Sequence, residues 1–254
     1  MRVSKDTPIN IVLPLAGRGS RFAEAGYEKP KPLIDVNGEP MIKRVIENIK
    51  PKQRDFNLTC ICLKEHLCDE LVDVLEGNIV VLNEMTEGAA QTVLSAQGFF
   101  DDVLPLVIPS CDQLVDIDID DFYNHAIEKQ ATGCLMTFNG NSPAYSYCKT
   151  EENGYVTQTR EKEVISNHAN VGIYYFQNGT DFIDCARLMI DANIRSKNEF
   201  YLAPVYNFLI DYYEMFNVDN IYASHVLTYD IAPEKVHLIG TPEDLEKYLK
   251  ANET

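Results

Sequence analysis

The stretch Leu13–Ile34, LPLAGRGSRFAEAGYEKPKPLI, decides how the rest of the chain is read. An apolar run from Ile9 to Leu13 precedes it and predicts a first β-strand. The strand then breaks into Gly17-Arg18-Gly19-Ser20-Arg21. Two glycines this close let the backbone take positive φ and approach a bulky ligand without Cβ clashes. Successive N–H groups in such a turn form a concave anion site. Arg18, Arg21, Lys29 and Lys31 place four cations within fourteen residues, against only Glu24 and Glu28. That geometry and charge suit a polyphosphate.

Known phosphate-binding patterns fit this loop unequally. Walker A needs G-x-x-x-x-G-K-[ST], which is absent. The dinucleotide fingerprint needs a third glycine where Phe22 stands. A bare G-x-G is common in tight turns, so the sequel matters: Gly-x-Gly-Ser-Arg, nine residues, then Lys31-Pro32-Leu33. The longer pattern resembles the sugar-phosphate nucleotidyltransferases (NDP-sugar pyrophosphorylases). The resemblance implies that Leu15, Ala16, Gly17, Arg18, Gly19, Ser20 and Arg21 wrap an NTP, and that Arg21 and Lys31 are catalytic. A surface turn with solvated charges is the plain alternative.

With 254 residues the chain can bury a substantial core and fits one domain with a small acceptor-binding subregion. The expected halves are about 1–130 for the nucleotide and about 131–254 for the acceptor. No run approaches the roughly 20 apolar residues of a membrane span, and the N-terminus lacks the apolar core of a signal peptide. Seven scattered cysteines make no disulfide framework, so a cytoplasmic setting is expected. Cys60 and Cys62 face the same way in an apolar run and should pack in the core. A net charge of −17 argues against nucleic-acid and acidic-membrane partners and makes a local cationic site necessary for a nucleotide. A homo-oligomer stays open.

Periodicity predicts helices over 40–50, 65–75, 87–98 and 120–130, alternating with strands over 58–63, 79–82 and 104–109. That alternation argues for a Rossmann-like α/β fold: a mixed, mostly parallel sheet flanked by helices. Ligands of such sheets sit at the carboxyl ends of the strands. Beyond residue 132, short strands are expected at 132–138, 145–149, 154–160 and 171–176, then helices at 179–193 and 198–212, a strand at 236–239 and a helix capped by Thr241 with Pro242 in its first turn.

Asp112 follows the strongest central strand, where a carboxylate can hold Mg²⁺ together with substrate phosphates. The resemblance implies the same role. It also implies that Thr86, Glu87 and Gly88 contact the nucleobase, and that Glu161, Lys162, Gly172, Arg195 and Glu199 bind the acceptor. A helix-face pair at i, i+4 would explain Arg195 and Glu199 as simply. The acidic run from Asp116 to Asp121 reads as the lead into a helix. One departure stands out. Where many family members carry a second metal-binding aspartate, two residues before the glycine-threonine, this chain has Leu238, with Asp230 and His237 as conceivable substitutes.

The expected reaction is NTP plus sugar 1-phosphate giving NDP-sugar and pyrophosphate. The loop form also looks like cytidylyltransferases acting on phosphates such as phosphocholine. A nucleotide-binding homologue without turnover, and a GT-A-type glycosyltransferase using Asp118-x-Asp120, are the further alternatives.

Overall fold

Ile9, Ile11, Val12 and Leu13 are inaccessible to solvent, and the run they form is a central strand. The computed structural model describes residues 3–215 and 225–252. The first half alternates strands and helices: β1 (Ile9–Leu15), α1 (Ser20–Glu24), the ribbon β2 (Asp35–Val36) and β3 (Glu39–Pro40), α2 (Met41–Ile49), β4 (Phe56–Leu63), α3 (Asp69–Val74), β5 (Asn78–Leu82), α4 (Ala89–Leu94), β6 (Leu106–Pro109), β7 (Gln113–Val115) and α5 (Ile119–Glu128). The second half is richer in strands: β8 (Gly133–Asn139), β9 (Ser146–Thr150), β10 (Val156–Glu161), β11 (His168–Phe176), α6 (Gly179–Asp191), α7 (Val205–Met215), β12 (Val226–Ile231), β13 (Val236–Leu238) and α8 (Pro242–Ala251).

Nine of the strands form one mixed sheet, in the order β10-β9-β11-β6-β1-β4-β5, with β8 beside β11 and β12 beside β8. β1 pairs in parallel with β4 and β6, and β4 with β5. β11 runs antiparallel to β6, β8 and β9. The β6–β11 ladder therefore welds the two halves into one sheet. Strand alternation supplies both cores. Ile11 and Leu13 face α2 and α5, packing with Ile42, Val45 and Phe122. Val12 faces the other way and packs with Ala90 and Val93 of α4, Phe182 of α6 and Tyr206 of α7. Helices thus cover both faces, and Cys60 and Cys62 lie buried as expected.

Local signals explain several boundaries. The β2–β3 turn is Asn37-Gly38, both at positive φ, the chemistry of a tight two-residue hairpin. Asp118 caps α5 by accepting from the Asp120 N–H, so the acidic run does lead into a helix. Thr241 caps α8 by accepting from the Asp244 N–H at 3.1 Å.

Three elements differ from expectation. The helix expected from residue 198 begins at Val205. Lys197 and Asn198 sit at positive φ, which no right-handed helix tolerates, and Pro204 precedes the first turn. Consequently Arg195 and Glu199 are not an i, i+4 helix pair. The 236–239 strand pairs with β7 in a separate two-stranded ribbon. β12 was not anticipated; it runs parallel to β8 from Val226↔Gly133 to Ile231↔Phe138.

Candidate active site

The carboxyl end of β1 turns into the glycine-rich loop, and α1 starts at Ser20. Gly19 holds the left-handed conformation at φ 62°, and a Cβ there would stand 2.8 Å from the Cβ of Lys31. Glycine is therefore required for Lys31 to come this close. Lys31 opens a short 3₁₀ turn, Lys31–Leu33. Its Nζ donates to Asp112 Oδ2 at 2.6 Å, across 81 residues of sequence.

Asp112 is held from two sides. It follows β6 through Ser110, whose N–H donates to the Gly172 carbonyl at 2.7 Å, and the Ile239 N–H donates to the Asp112 carbonyl at 3.0 Å. Gly240 lies over the carboxylate, where a Cβ would be 2.7 Å from Oδ2. Burial lowers the pKa of Lys31, but the Asp112 carboxylate, with a smaller contribution from Cys111, outweighs it and leaves the ammonium raised. Burial also pushes the Cys111 thiol up to about 11, against the pull of Lys31.

Two cavities share the Lys31–Cys111–Asp112 partition. One, of about 200 Å³, is lined on the loop side by Leu15, Gly17, Gly19, Ser20 and Arg21, and by Gly240. The other, of about 430 Å³, is lined by Pro14, Ala16, Gly17, Arg18, Met85, Thr86, Gly88, Ala89, Thr92 and Glu199. Lys29 lines neither; it pairs with Glu70 at the surface.

The Gly88 loop is fixed by its own side chains. Thr86 Oγ1 donates to the Gly88 carbonyl at 3.0 Å, and the Glu87 N–H donates to Gln91 Oε1 at 2.7 Å. Gly88 has φ 140°, and a Cβ would meet the Phe200 N atom at 2.5 Å.

Glu161 ends β10, and Lys162 follows at φ 57°. The Lys162 ammonium hydrogen-bonds the Tyr201 hydroxyl and lies 4.3 Å from that ring's centroid. Burial pushes Glu161 up to about 7, with Lys162 opposing and Glu199 adding to the rise. Gly172 occupies an irregularity in β11 at φ 98°, where a Cβ would be 2.6 Å from Ser110 Oγ and 2.9 Å from Gln113 Oε1. Glu161 and Lys162 line neither of the two cavities, whereas Glu199 lines the larger. Arg195 Nη2 pairs with Glu87 at 3.1 Å.

A family model described as nucleotidyl transferase matches residues 10–199. The chain belongs to the nucleotidyl transferase family. Among its relatives, the bifunctional protein GlmU of Methanocaldococcus jannaschii is 24% identical over 168 residues, 66% of this chain and 40% of that protein. The UTP–glucose-1-phosphate uridylyltransferase of Synechocystis sp. is 23% identical over 188 residues, 64% of this chain and 47% of that one. The chain thus spans less than half the length of these curated relatives. The nucleoside-diphosphate-sugar pyrophosphorylase of Vibrio cholerae RC9 superposes with a TM-score of 0.76 at 24% identity, covering 94% of this chain and 99% of that one, and shares the fold.

The nucleotidyl transferase match takes in the loop, Lys31, Asp112, Glu161, Lys162 and Glu199, and stops before β13. The β13 segment supplies Gly240 and the Ile239 bond to Asp112, which the sequence analysis did not single out as parts of the site. Leu238 stands opposite Gln113 in the β13–β7 ladder. Asp230 bonds to Thr137 and His168, and His237 to Asp116, so neither reaches the cavities around Asp112. No group of three or more His, Cys, Asp or Glu side chains gathers as a metal site among the described residues. No described helix is long and apolar enough to cross a membrane.

Proposed function

We propose that this chain joins an NTP to a sugar 1-phosphate, giving an NDP-sugar and pyrophosphate. The observation that carries this reading is the Lys31–Asp112 pair, which stands between the glycine-rich-loop cavity and the Gly88-loop cavity. The loop amides and Arg21 hold the β- and γ-phosphates, where fixed donors meet charge without reorganising. Thr86, Glu87 and Gly88 flank the nucleobase. Glu161, Lys162, Gly172 and Glu199 form the acceptor side. Residues up to about 130 serve the nucleotide and those beyond serve the acceptor, in a cytoplasmic enzyme whose cysteines are all free.

An acceptor phosphate oxygen attacks the α-phosphorus, that P–O bond forms, and the bond to the β-phosphate bridging oxygen breaks as pyrophosphate leaves. The acceptor phosphate has a second pKa of about 6, so it is largely ionised at neutral pH and needs no general base. The chain's contribution is positioning and neutralisation. Lys31, held charged by Asp112, neutralises charge gathering at the α-phosphate. Asp112 suits Mg²⁺, which binds through one or two carboxylates plus substrate phosphates; a single carboxylate beside open cavities fits that habit without Leu238 contributing. When bound, Mg²⁺ supplies further charge neutralisation on the phosphates.

Pyrophosphate release with Mg²⁺ tests the proposal, using ATP, CTP, GTP, TTP and UTP in turn against pooled sugar 1-phosphates, phosphocholine and glycerol phosphate. Release that depends on a sugar 1-phosphate is the expected result. Release only with CTP and phosphocholine would establish the cytidylyltransferase alternative. NTP binding with silence across the panel would mark a homologue without turnover and make Leu238→Asp the next variant.

A further inference from the structure

The guanidinium of Arg195 makes three hydrogen bonds within the protein. Nε donates to Asn193 Oδ1 at 2.6 Å, Nη1 to the Asn198 carbonyl at 3.1 Å and Nη2 to Glu87 Oε2 at 3.1 Å. The guanidinium carbon stands 3.9 Å from the ring centroid of Phe200, which is buried. Phe200 then closes the contact through its main chain. Its N–H donates to the Glu87 carbonyl at 2.8 Å, and its carbonyl accepts from the Ala90 N–H at 3.0 Å. Gly88 lies inside this clasp, with no room for a Cβ.

The loop that Arg195 gathers contains two local turns: Asn193 caps α6, its N–H donating to the Ile190 carbonyl at 2.9 Å, and Ser196 and Glu199 exchange backbone hydrogen bonds at 3.0 Å around Lys197-Asn198. Asn193, Lys197 and Asn198 have φ of 53°, 47° and 68° without being glycine. Arg195 ties the two turns together by bonding both Asn193 and Asn198. The same loop walls the larger cavity through Glu199 and reaches the acceptor side through Tyr201 and Lys162.

We infer that Arg195 is a positioning residue for the nucleotide: acting through Glu87 and Phe200, it fixes the Gly88 loop and the Asn193–Tyr201 loop as one wall. This differs from the acceptor contact that the family resemblance implies for Arg195, and it rests on the nucleotidyltransferase reading of the site. Lysine cannot replace it, because three divergent donors and a stacking plane are used at once.

The test is calorimetric binding of ATP, CTP, GTP, TTP and UTP with Mg²⁺ and no acceptor present. The proteins are the wild type, Arg195→Lys, Arg195→Gln, Glu87→Gln and the Arg195→Gln/Glu87→Gln double variant, each first checked by thermal melting. Both Arg195 variants are expected to weaken the NTP that binds best by about 10-fold, since each loses charge-assisted hydrogen bonds that shape the wall. In the Glu87→Gln background the Arg195→Gln change should cost less than it does in the wild type, because the contact the two residues share is already weakened. Unchanged NTP affinity in Arg195→Lys and Arg195→Gln overturns the inference, and a raised sugar 1-phosphate KM in the same variants, read by pyrophosphate release, then restores Arg195 as an acceptor ligand. Failure of the wild type to bind any of the five NTPs overturns the nucleotidyltransferase reading and this inference together.

Discussion

The glycine-rich loop and the Asn193–Tyr201 loop both wall the larger cavity or its rim, yet they are held in opposite ways. The first takes its left-handed turn at Gly19, where the conformation costs little, and it follows directly from the end of β1. The second takes left-handed turns at Asn193, Lys197 and Asn198, and it is held by Arg195, Phe200 and Glu87. A loop built on glycine carries its shape in its own sequence. The second loop adds contacts with a distant segment to its local turns, the Asn193 cap of α6 and the turn closed by Ser196 and Glu199.

Breaking the chemistry of the first loop should give the largest effect. Lys31→Ala is expected to lower turnover by about 10²- to 10³-fold, the scale of one charge-stabilising donor. Its melting temperature should stay close to that of the wild type, because Asp112 is left partly open to water. Near-normal turnover would remove Lys31 from the reaction.

A steric change at the meeting point of the two segments comes next. Gly88→Ala adds a Cβ against the Phe200 backbone, which has no flexible end to yield. A loss of about 1–3 kcal/mol in chemical denaturation is expected, with weaker NTP binding. Unchanged stability and affinity would mean that the clasp opens freely in solution.

Glu161 sharpens the comparison through pH. Its folded-state pKa of about 7 lies above its ordinary value of 4.5, chiefly through burial. The native state therefore binds more protons across that window, so stability falls as pH rises through it and is level above. Glu161→Gln removes this loss. The variant should exceed the wild type by about 1 kcal/mol near pH 8, after allowance for partial exposure, and the gap should close below the ordinary carboxyl value. Parallel stability curves for the two proteins would contradict it.

The smallest effect is expected at Lys197. Lys197→Gly relieves a left-handed residue but adds freedom to the unfolded chain, so the net change should stay within about 0.5 kcal/mol. A large destabilisation in thermal melting would show that the Lys197 side chain itself holds the loop.

Much of the parallel half was legible residue by residue. Ile9 to Leu13, the 58–63 run and the 104–109 run announced strands through length and apolar content, and 40–50 announced α2 through its spacing. Asn37-Gly38 is itself a hairpin signal, and it closes the β2–β3 ribbon. β12 carries alternation and no continuous apolar run: Leu227, Tyr229 and Ile231 pack against the core while Thr228 and Asp230 interrupt them, and Asp230 is exposed. The helix boundary at Val205 depends on the two-residue turn at Lys197-Asn198, where Ser196 and Glu199 exchange backbone hydrogen bonds at 3.0 Å, a turn that no glycine announces.

The sequence by itself determined the glycine-rich loop, the order of Lys31, Asp112 and Glu161-Lys162 along the chain, and the α/β class. Those depend on local backbone freedom, on side-chain period and on short-range spacing. Only the tertiary structure decided that Lys31 meets Asp112, that Gly240 closes over that carboxylate while Ile239 holds the Asp112 main-chain carbonyl, and that Arg195 turns to Glu87. Each of these joins segments far apart in the chain, and such contacts depend on the packing of the whole sheet.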